Sequence, residues 1–256
     1  MFGVVPKTLW SKTQPSDEHN RIEAGLNCFV VEDGDSRILI ETGIGVRHDE
    51  RTRERIGMPN PPHLIEVLAA RGFEPESFDL VVNTHLHWDH VGGNTVGDRD
   101  NAVAAFPDAR YVTQAGELEH ARKRLPRDAV SYKPVNYEPL VATGRMELLE
   151  TGGEVAPGVR VTVTPGHNRD MMVVMVESRG ESYCHLADLV PFAAQVTPTW
   201  VSGFDLFPLE TIENKMLTLG WCAGNDTWCS FGHDPKVAFA KIGLQEGKWE
   251  VRQSQV

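Results

Sequence analysis

Short apolar runs separated by turn residues dominate the hydrophobic pattern of this chain. Runs of about four to eight apolar or β-branched residues, bounded by Gly, Pro, Asn or Asp, are typical of strands. The pattern predicts strands at 27–31, 37–41, 78–83, 110–113, 147–150, 159–164, 172–177, 182–186 and 227–231. Residues 32–36, with the sequence Glu-Asp-Gly-Asp-Ser, predict a hairpin turn between the first two of these strands.

Helical spacing of apolar residues is less frequent along the chain. It predicts a helix over 63–71 that is capped by Gly72, because glycine is favoured just past a helix end. Further helices are predicted at 117–124, 209–219 and 237–242. The strands occur in groups with helices between the groups, which favours an α/β sandwich over a strictly alternating sheet.

The stretch 43–62 is rich in Gly, Pro, Asn and charged residues, and it is long for a simple connection. Loops of this length often cover a binding site. The stretch therefore predicts either a lid over a site or a disordered surface excursion.

Composition limits the function further. A chain of 256 residues fits a single domain, with two halves of similar element order at about 1–140 and 145–256. The formal net charge of −11 makes nucleic acid a poor partner.

The sequence has no apolar run long enough to cross a membrane and no secretory signal pattern, so we expect a cytoplasmic protein. Its four cysteines form no metal-binding spacing, and we expect reduced thiols, with one disulfide left open.

Four residues of metal-ligand type lie within the segment His85-Leu86-His87-Trp88-Asp89-His90. Imidazole nitrogens and carboxylate oxygens are ligands that zinc and other first-row metals accept. Two imidazoles at positions i and i+2 of a loop can face one cation, while Asp89 and His90 point toward a neighbouring one. The predicted strand at 78–83 would hold this loop rigidly. The segment therefore predicts a metal site.

The segment resembles the H-x-H-x-D-H signature of the metallo-β-lactamase superfamily. Glu41-Thr42-Gly43 stands where that family usually has Asp-Thr-Gly, and Thr164-Pro165-Gly166-His167 matches its Thr-Pro-Gly-His motif. Asp188 lies where the superfamily places a bridging aspartate, and His233 lies where it places the last metal histidine. The resemblance implies a four-layer αβ/βα sandwich with the metals at one edge of the two sheets.

The resemblance also implies a site for two divalent metal ions. The ligands expected at the first metal are His85, His87 and His167. Those expected at the second are Asp89, His90 and His233, with Asp188 as the bridging ligand. Zinc is the expected metal, although Mn, Fe or Co also accept these ligand types. Glu41 is expected to orient a ligating imidazole without binding a metal itself.

Such a site predicts hydrolysis without a nucleophile from the protein. Two ions about 3.5–4 Å apart can share a water molecule and lower its pKa toward neutrality. The resulting bridging hydroxide would attack the substrate, and the metals would stabilise the negative charge that develops on oxygen. Asp89 is the expected proton shuttle, because a carboxylate at the metal can accept and return a proton.

A comparison of subfamilies favours a small ester or lactone as substrate. Zinc β-lactamases commonly lack a counterpart of His90 or Asp188. Glyoxalase II adds a basic C-terminal region, for which the 23 residues after His233 leave little room. Lactonases and organophosphate-triester hydrolases fit the ligand set, so a phosphotriesterase-type hydrolase stays an alternative. The best-known acyl-homoserine lactonases have a tyrosine shortly after the bridging aspartate, whereas residues 189–192 here are Leu-Val-Pro-Phe.

The remaining expectations concern the pocket, the partners and a second reaction class. Aromatic residues that either line a substrate pocket or belong to the core are Trp88, Phe192, Trp200 and Phe204. An iron-dependent oxidoreductase of the same fold is the other alternative, and the complete second ligand set argues against its one-metal forms. We expect a small-molecule substrate and no nucleic-acid or membrane partner. Among closed assemblies, a homodimer is the commonest and is the assembly expected here.

Overall fold

The computed structural model describes residues 1–34, 36–58, 60 and 62–255. The chain divides into two compact units. The first unit comprises residues 28–150, and the second unit comprises residues 1–27 together with 151–256. The N-terminal 27 residues therefore belong with the C-terminal half of the chain. That the two units form a single domain stays a prediction.

The first unit is built on a mostly parallel sheet. Its strands are β1 (Phe29–Asp33), β2 (Ser36–Ile40), β3 (Leu80–Val82), β4 (Thr95–Val96), β5 (Val103–Ala104), β6 (Arg110–Gln114) and β7 (Met146–Leu149). Five of them form the sheet in the order β1-β2-β3-β6-β7, while β4 and β5 pair separately. Only β1 runs antiparallel to its neighbour in that sheet. All three residues of β3 are buried, as expected for the central strand of a covered parallel sheet.

The second unit contains a seven-stranded sheet. Its strands are β8 (Gly153–Ala156), β9 (Val159–Val163), β10 (Met172–Ser178), β11 (Glu181–His185), β12 (Trp228–Ser230), β13 (Phe239–Gln245) and β14 (Lys248–Gln255). They lie in sequence order across the sheet, and β11 and β12 form the one parallel pair among them. Because β10 is antiparallel to both β9 and β11, the strands β9, β11 and β12 all run in the same direction. Their carboxyl ends therefore reach the same edge of the sheet.

The helices are short, with one exception. They are α1 (Lys7–Trp10), α2 (Glu50–Ile56), α3 (Leu64–Ala69), α4 (Trp88–Val91), α5 (Ala115–Lys123), α6 (Glu138–Ala142) and α7 (Pro208–Gly224). None of the helices in the described part of the chain is long and apolar enough to cross a membrane.

Each unit has its own apolar core. In the first unit, Val81 and Tyr111 of the sheet pack with Leu118 of α5. In the second unit, Cys184 and Cys229 of neighbouring strands pack in the same cluster as Leu219 of α7. All four cysteines are free thiols in the structure.

The nine predicted strands are present with small shifts at their ends, and the helices predicted at 63–71, 117–124 and 209–219 are present as α3, α5 and α7. Ala70, not Gly72, caps α3. One residue of the predicted hairpin turn, Asp35, lies outside the described residues.

The helix predicted at 237–242 is wrong, because residues 239–245 form strand β13 between β12 and β14. Ala240 and Ile242, two residues apart, are both buried, which is the period of a strand. Six residues are too few to distinguish that period from a helical one. The strands β8 and β14 were not predicted at all.

The stretch 43–62 is not irregular throughout, since it contains α2. Asp49 caps the start of this helix by accepting a hydrogen bond from the Thr52 amide at 2.7 Å, and Gly57 ends it at a φ of 67°. Pro59 and Pro61 lie outside the described residues. A lid role for this stretch stays a prediction.

Candidate metal centre

The first unit presents its candidate ligands directly after the buried strand β3. His85 follows that strand, His87 precedes α4, and Asp89 and His90 lie within that single helical turn. His85, His87 and His90 are 0%, 8% and 2% exposed. The ring of His85 lies 4.6 Å from that of His87 and 4.1 Å from that of His90, measured between centroids. Three imidazoles packed this closely would repel one another if protonated, so the arrangement favours neutral rings with lone pairs for a metal.

Glu41 lies beside these imidazoles, at a left-handed φ of 65°. Its Oε1 accepts hydrogen bonds from the amide and the hydroxyl of Thr84 and lies 3.5 Å from Nδ1 of His90. Because a carboxylate only accepts, the Thr84 hydroxyl donates to Glu41 and accepts from Nδ1–H of His85 at 3.0 Å. Nε2 of His85 is then the nitrogen with the lone pair. Glu41 is thus linked to the His85 ring through Thr84, and its role in orienting a ligating imidazole stays a prediction.

Ligand-type atoms of Glu41, His85 and His90 all lie within 4.8 Å of one another. A carboxylate oxygen of Asp89 and a ring nitrogen of His90 also lie within 4.8 Å of each other. The first unit therefore gathers buried nitrogen and oxygen donors in one place, which is the donor chemistry that a divalent first-row metal requires.

The backbone around the motif permits no side chain at Gly92. A Cβ atom there would lie 2.0 Å from the carbonyl oxygen of Ile44. The close approach lets the Gly92 amide donate to the Gly43 carbonyl at 2.7 Å and the Thr42 amide donate to the His90 carbonyl at 2.8 Å. The Glu-Thr-Gly segment is thereby locked onto the end of the histidine motif.

Glu117 is a further supporting residue that the sequence analysis missed. This side chain of α5 is fully buried, and its Oε1 accepts hydrogen bonds from the Leu86 amide at 2.8 Å and from the Tyr132 hydroxyl at 3.1 Å. It therefore fixes the backbone between His85 and His87. A glutamate in the first turn of a helix ordinarily indicates a cap or a solvated face. The position of Glu117 in the sequence therefore does not indicate this supporting role.

The second unit delivers its three candidate ligands at the shared edge of β9, β11 and β12. His167 follows β9, Asp188 lies in a 3-10 turn after β11, and His233 follows β12. The Asp188 carboxylate lies between the two rings: Oδ2 is 3.2 Å from Nε2 of His167, and Oδ1 is 3.2 Å from Nε2 of His233. Parallel strand direction therefore assembles residues that are far apart in sequence.

The other nitrogen of each ring is held by the protein. Nδ1 of His167 donates to Oδ1 of Asp205 at 2.9 Å, and Nδ1 of His233 donates to the carbonyl of Gly25 at 3.0 Å. A carboxylate and a carbonyl can only accept, so both rings carry their proton on Nδ1 and present Nε2 toward Asp188. This is the tautomer that a metal-ligating histidine needs. The donor set of the second unit thus also fits a metal.

Asp205 was missed as a supporting residue. It is 5% exposed, and its second oxygen accepts a hydrogen bond from the Thr211 hydroxyl of α7 at 2.8 Å. The amides of Leu206 and Phe207 donate to the carbonyls of His167 and Gly166 at 3.0 and 2.8 Å. The single available signal was one acid within the apolar run Phe204-Asp205-Leu206-Phe207. No spacing rule connects that acid to His167.

Gly166 makes the close approach of this loop possible. Its φ is 154°, and a Cβ atom there would lie between 2.5 and 2.9 Å from three atoms of Thr211. The Thr-Pro-Gly-His motif therefore requires glycine at this position, because any side chain would displace α7 from His167.

The four aromatic residues proposed for the pocket differ in their surroundings. Phe192 is buried, 6.3 Å from the His233 ring and 6.1 Å from the Phe2 ring, and Trp200 packs edge-on against Phe2 at 5.9 Å. Phe204 is 61% exposed, and Trp88 is partly buried within the metal motif. Their role in a pocket stays a prediction.

Comparison with known proteins identifies the family. Residues 23–236 match the model of the metallo-β-lactamase superfamily, and the chain belongs to that superfamily. The predicted family and fold class, an α/β sandwich of the metallo-β-lactamase type, are thereby confirmed.

Three similar proteins illustrate the range of the family. An N-acyl homoserine lactonase from Bacillus cereus is 26% identical over 170 residues, which are 62% of this chain and 61% of the relative, so the match spans under two thirds of that protein. A probable metal-dependent hydrolase from Staphylococcus aureus is 28% identical, with a TM-score of 0.89 over 100% of this chain and 92% of that one. AidC, described as a dizinc quorum-quenching lactonase, shares the fold at 19% identity, with a TM-score of 0.74 over 91% of this chain and 80% of its own. All three are hydrolases by name, in agreement with the predicted reaction class.

Proposed function

We propose that this protein is a cytoplasmic, dinuclear zinc hydrolase that acts on small esters or lactones. The observation that carries the proposal is the pair of ligand sets, each of which gathers buried imidazole and carboxylate donors around the end of a strand. Membership of the superfamily and the lactonase names of several relatives support the choice of reaction and substrate.

In this proposal, His85, His87 and His167 would hold one metal. Asp89, His90 and His233 would hold the other, and Asp188 would be a ligand shared by both. When bound, the two metals would supply Lewis acidity that makes hydroxide available near neutral pH and polarises the substrate carbonyl.

The side chains of this chain then have separate tasks. Asp205 holds the imidazole of His167 in the tautomer that exposes Nε2, and Glu41 does the same for His85 through the hydroxyl of Thr84. Asp89, the partly exposed carboxylate of the motif, accepts the proton released on attack and returns it to the leaving oxygen. The substrate is a small molecule, and no protein nucleophile takes part.

The test measures metal and activity on the same preparation. The purified protein is analysed for metal content and assayed in parallel with a γ-lactone, an aryl ester, a phosphotriester and nitrocefin. We expect two metals per chain and hydrolysis of the lactone or ester that is lost on chelation and restored by zinc. One metal per chain would contradict the dinuclear site. A preference for the phosphotriester or nitrocefin would overturn the substrate class.

A further inference from the structure

A groove of about 790 Å³ opens in the first unit, lined by the loop that follows α5. Four basic side chains line it, those of Arg47, Arg99, Arg124 and Lys133, against the acids Asp100 and Glu138. Glu138 is already engaged, because both of its oxygens accept from Arg122 at 2.8 and 2.7 Å. The groove is therefore cationic, although the chain carries a net charge of −11.

Lys133 places its charge next to the metal motif. Its Nζ lies 4.8 Å from the ring centroid of Trp88, the residue between His87 and Asp89. The preceding residue, Tyr132, pairs with His87 through a backbone bridge, and their rings are 4.8 Å apart. The wall of the groove is thus continuous with the motif that carries the candidate ligands.

The contacts of Lys133 are with neutral groups. Nζ donates to Nδ1 of His48 at 3.3 Å, while Nε2 of the same ring donates to the carbonyl of Ile44 at 2.8 Å. His48 is therefore a neutral acceptor. Asp49 and Asp89 attract the ammonium from a longer distance, whereas Arg47 repels it.

Arg47 is the second half-buried cation of the groove. Its guanidinium donates to the Thr95 hydroxyl, to the Gly97 carbonyl at 3.1 Å and to the Asn136 amide oxygen at 3.5 Å, all of them neutral acceptors. Its Nε is buried and has no hydrogen-bond partner among the described residues. Burial lowers the pKa of both Arg47 and Lys133. Two neighbouring cations without a carboxylate in contact are unfavourable unless an anion binds between them.

We infer that this groove binds an anionic oxygen group of the substrate, a carboxylate or a phosphate, through Lys133 and Arg47. The inference rests on the proposed function for the reaction that is catalysed, and on the groove for the negative charge of the substrate. It narrows the substrate class from small esters or lactones in general to those that carry a negative charge. A positive site beside the reacting group would raise both the affinity and the rate of encounter for such substrates.

The test compares esters that differ mainly in charge: 4-nitrophenyl butyrate, mono-4-nitrophenyl glutarate and a 4-nitrophenyl ester with a terminal phosphate. We expect the wild type to prefer an anionic ester. In Lys133→Gln, kcat/KM for that ester should fall by about 10- to 100-fold, mainly through KM, as expected for the loss of a hydrogen bond to a charged group. Lys133→Arg should retain the preference. The better of the two anionic esters identifies carboxylate or phosphate as the group bound.

Lys123→Gln is the matched control, because Lys123 is an exposed lysine of the same unit that pairs with Glu119 at 2.8 Å. A second readout needs no turnover: titration of glutarate and of inorganic phosphate into metal-free protein, where Lys133→Gln should weaken binding and Lys123→Gln should not. If the neutral ester is hydrolysed as well as the anionic ones, the inference is wrong and the proposed function stands. If neither these esters nor the γ-lactone is hydrolysed, the proposed function fails and the titration alone decides whether the groove binds anions.

Discussion

The two units hold their candidate ligands by different means. In the first unit, four ligand-type residues lie within six positions. Glu41 accepts from the backbone amide of Thr84, directly before that segment, and Glu117 accepts from the amide of Leu86 within it. In the second unit, Asp188 comes 21 residues after His167, and His233 comes 45 residues after Asp188. There the support goes to the imidazole rings themselves, from Asp205 and from the Gly25 carbonyl.

The difference shows what each set depends on. A contiguous motif needs a rigid local backbone, and Glu117 fixes the chain between His85 and His87, while Glu41 reaches the His85 ring through Thr84. A dispersed set obtains its spacing from the direction of three strands, so its supporting groups fix ring orientation and tautomer. Loss of Glu117 should therefore act mainly on stability, and loss of Asp205 mainly on metal affinity.

The largest effect is expected from the bridging position. Asp188→Ala removes the carboxylate that lies between His167 and His233, each 3.2 Å away. Loss of a group outside the coordination sphere already costs about 10- to 100-fold in metal affinity, so loss of this ligand should cost more. Asp89→Ala should leave more metal bound, because Asp89 is the expected ligand of one metal, whereas Asp188 is the expected ligand of both. Chelator competition measures how much metal each variant retains. Equal retention in the two variants would contradict a bridging role for Asp188.

A second prediction concerns the buried charges: both units bury carboxylates, and the second unit also buries a lysine. The first unit buries Glu41 and Glu117, whereas the second buries Lys215 of α7, which donates to the carbonyls of Thr197 and Trp200 at 3.3 and 2.9 Å. Burial lowers the pKa of Lys215 to about 7, and Asp205 opposes the shift.

The sign of the pH dependence follows from that shift. Between pH 7 and the ordinary lysine pKa near 10.4, the unfolded chain binds the proton and the folded chain does not, so stability rises with pH by up to about 1.4 kcal/mol per unit. Below that window the lysine is charged in both states and the full cost of burying the charge applies. Denaturant unfolding of metal-free protein between pH 7 and 10 should show a steeper rise for wild type than for Lys215→Met. The exposed Lys248→Met serves as control, and an unchanged slope in Lys215→Met would show that the lysine does not titrate there.

The sequence predicts contiguous strands and motifs better than it predicts contacts between residues that are far apart in the chain. The apolar run 78–83 followed by the histidine motif is a contiguous signal, and it predicted both β3 and the position of the candidate ligands. The motif residues His167, Asp188 and His233 were named through resemblance to the family, and their roles stay predictions. The support from Asp205 was not foreseen, because the fold alone brings a residue 38 positions away into contact with His167.

The N-terminal segment illustrates the same limit. Asn27 donates to the carbonyls of Phe231 and Asp234 at 2.8 and 2.9 Å, and the Gly25 amide donates to the His233 carbonyl at 2.8 Å. These contacts join residues more than 200 positions apart. No periodicity or spacing within 1–27 indicates them, although this segment belongs to the same compact unit as residues 151–256.

The smallest effect is expected from the supporting carboxylates, where the two units should separate most clearly. Asp205→Ala leaves Nδ1 of His167 and the Thr211 hydroxyl without their acceptor, so metal affinity should fall by about 10- to 100-fold, together with some loss of stability in the metal-free protein. Asp205→Asn keeps an acceptor oxygen, so its metal affinity should lie between that of Asp205→Ala and that of wild type.

Glu117→Ala should instead lower the stability of metal-free protein by about 1–3 kcal/mol, because the buried Leu86 amide loses its acceptor. Glu210→Gln, which breaks the exposed pair with Arg169, controls for charge near α7. Isothermal titration with zinc measures the metal affinity of each variant, and denaturant unfolding measures the stability of the same variants without metal. If Glu117→Ala and Asp205→Ala both change affinity and stability in the same proportion, the division between backbone support and ring support is mistaken.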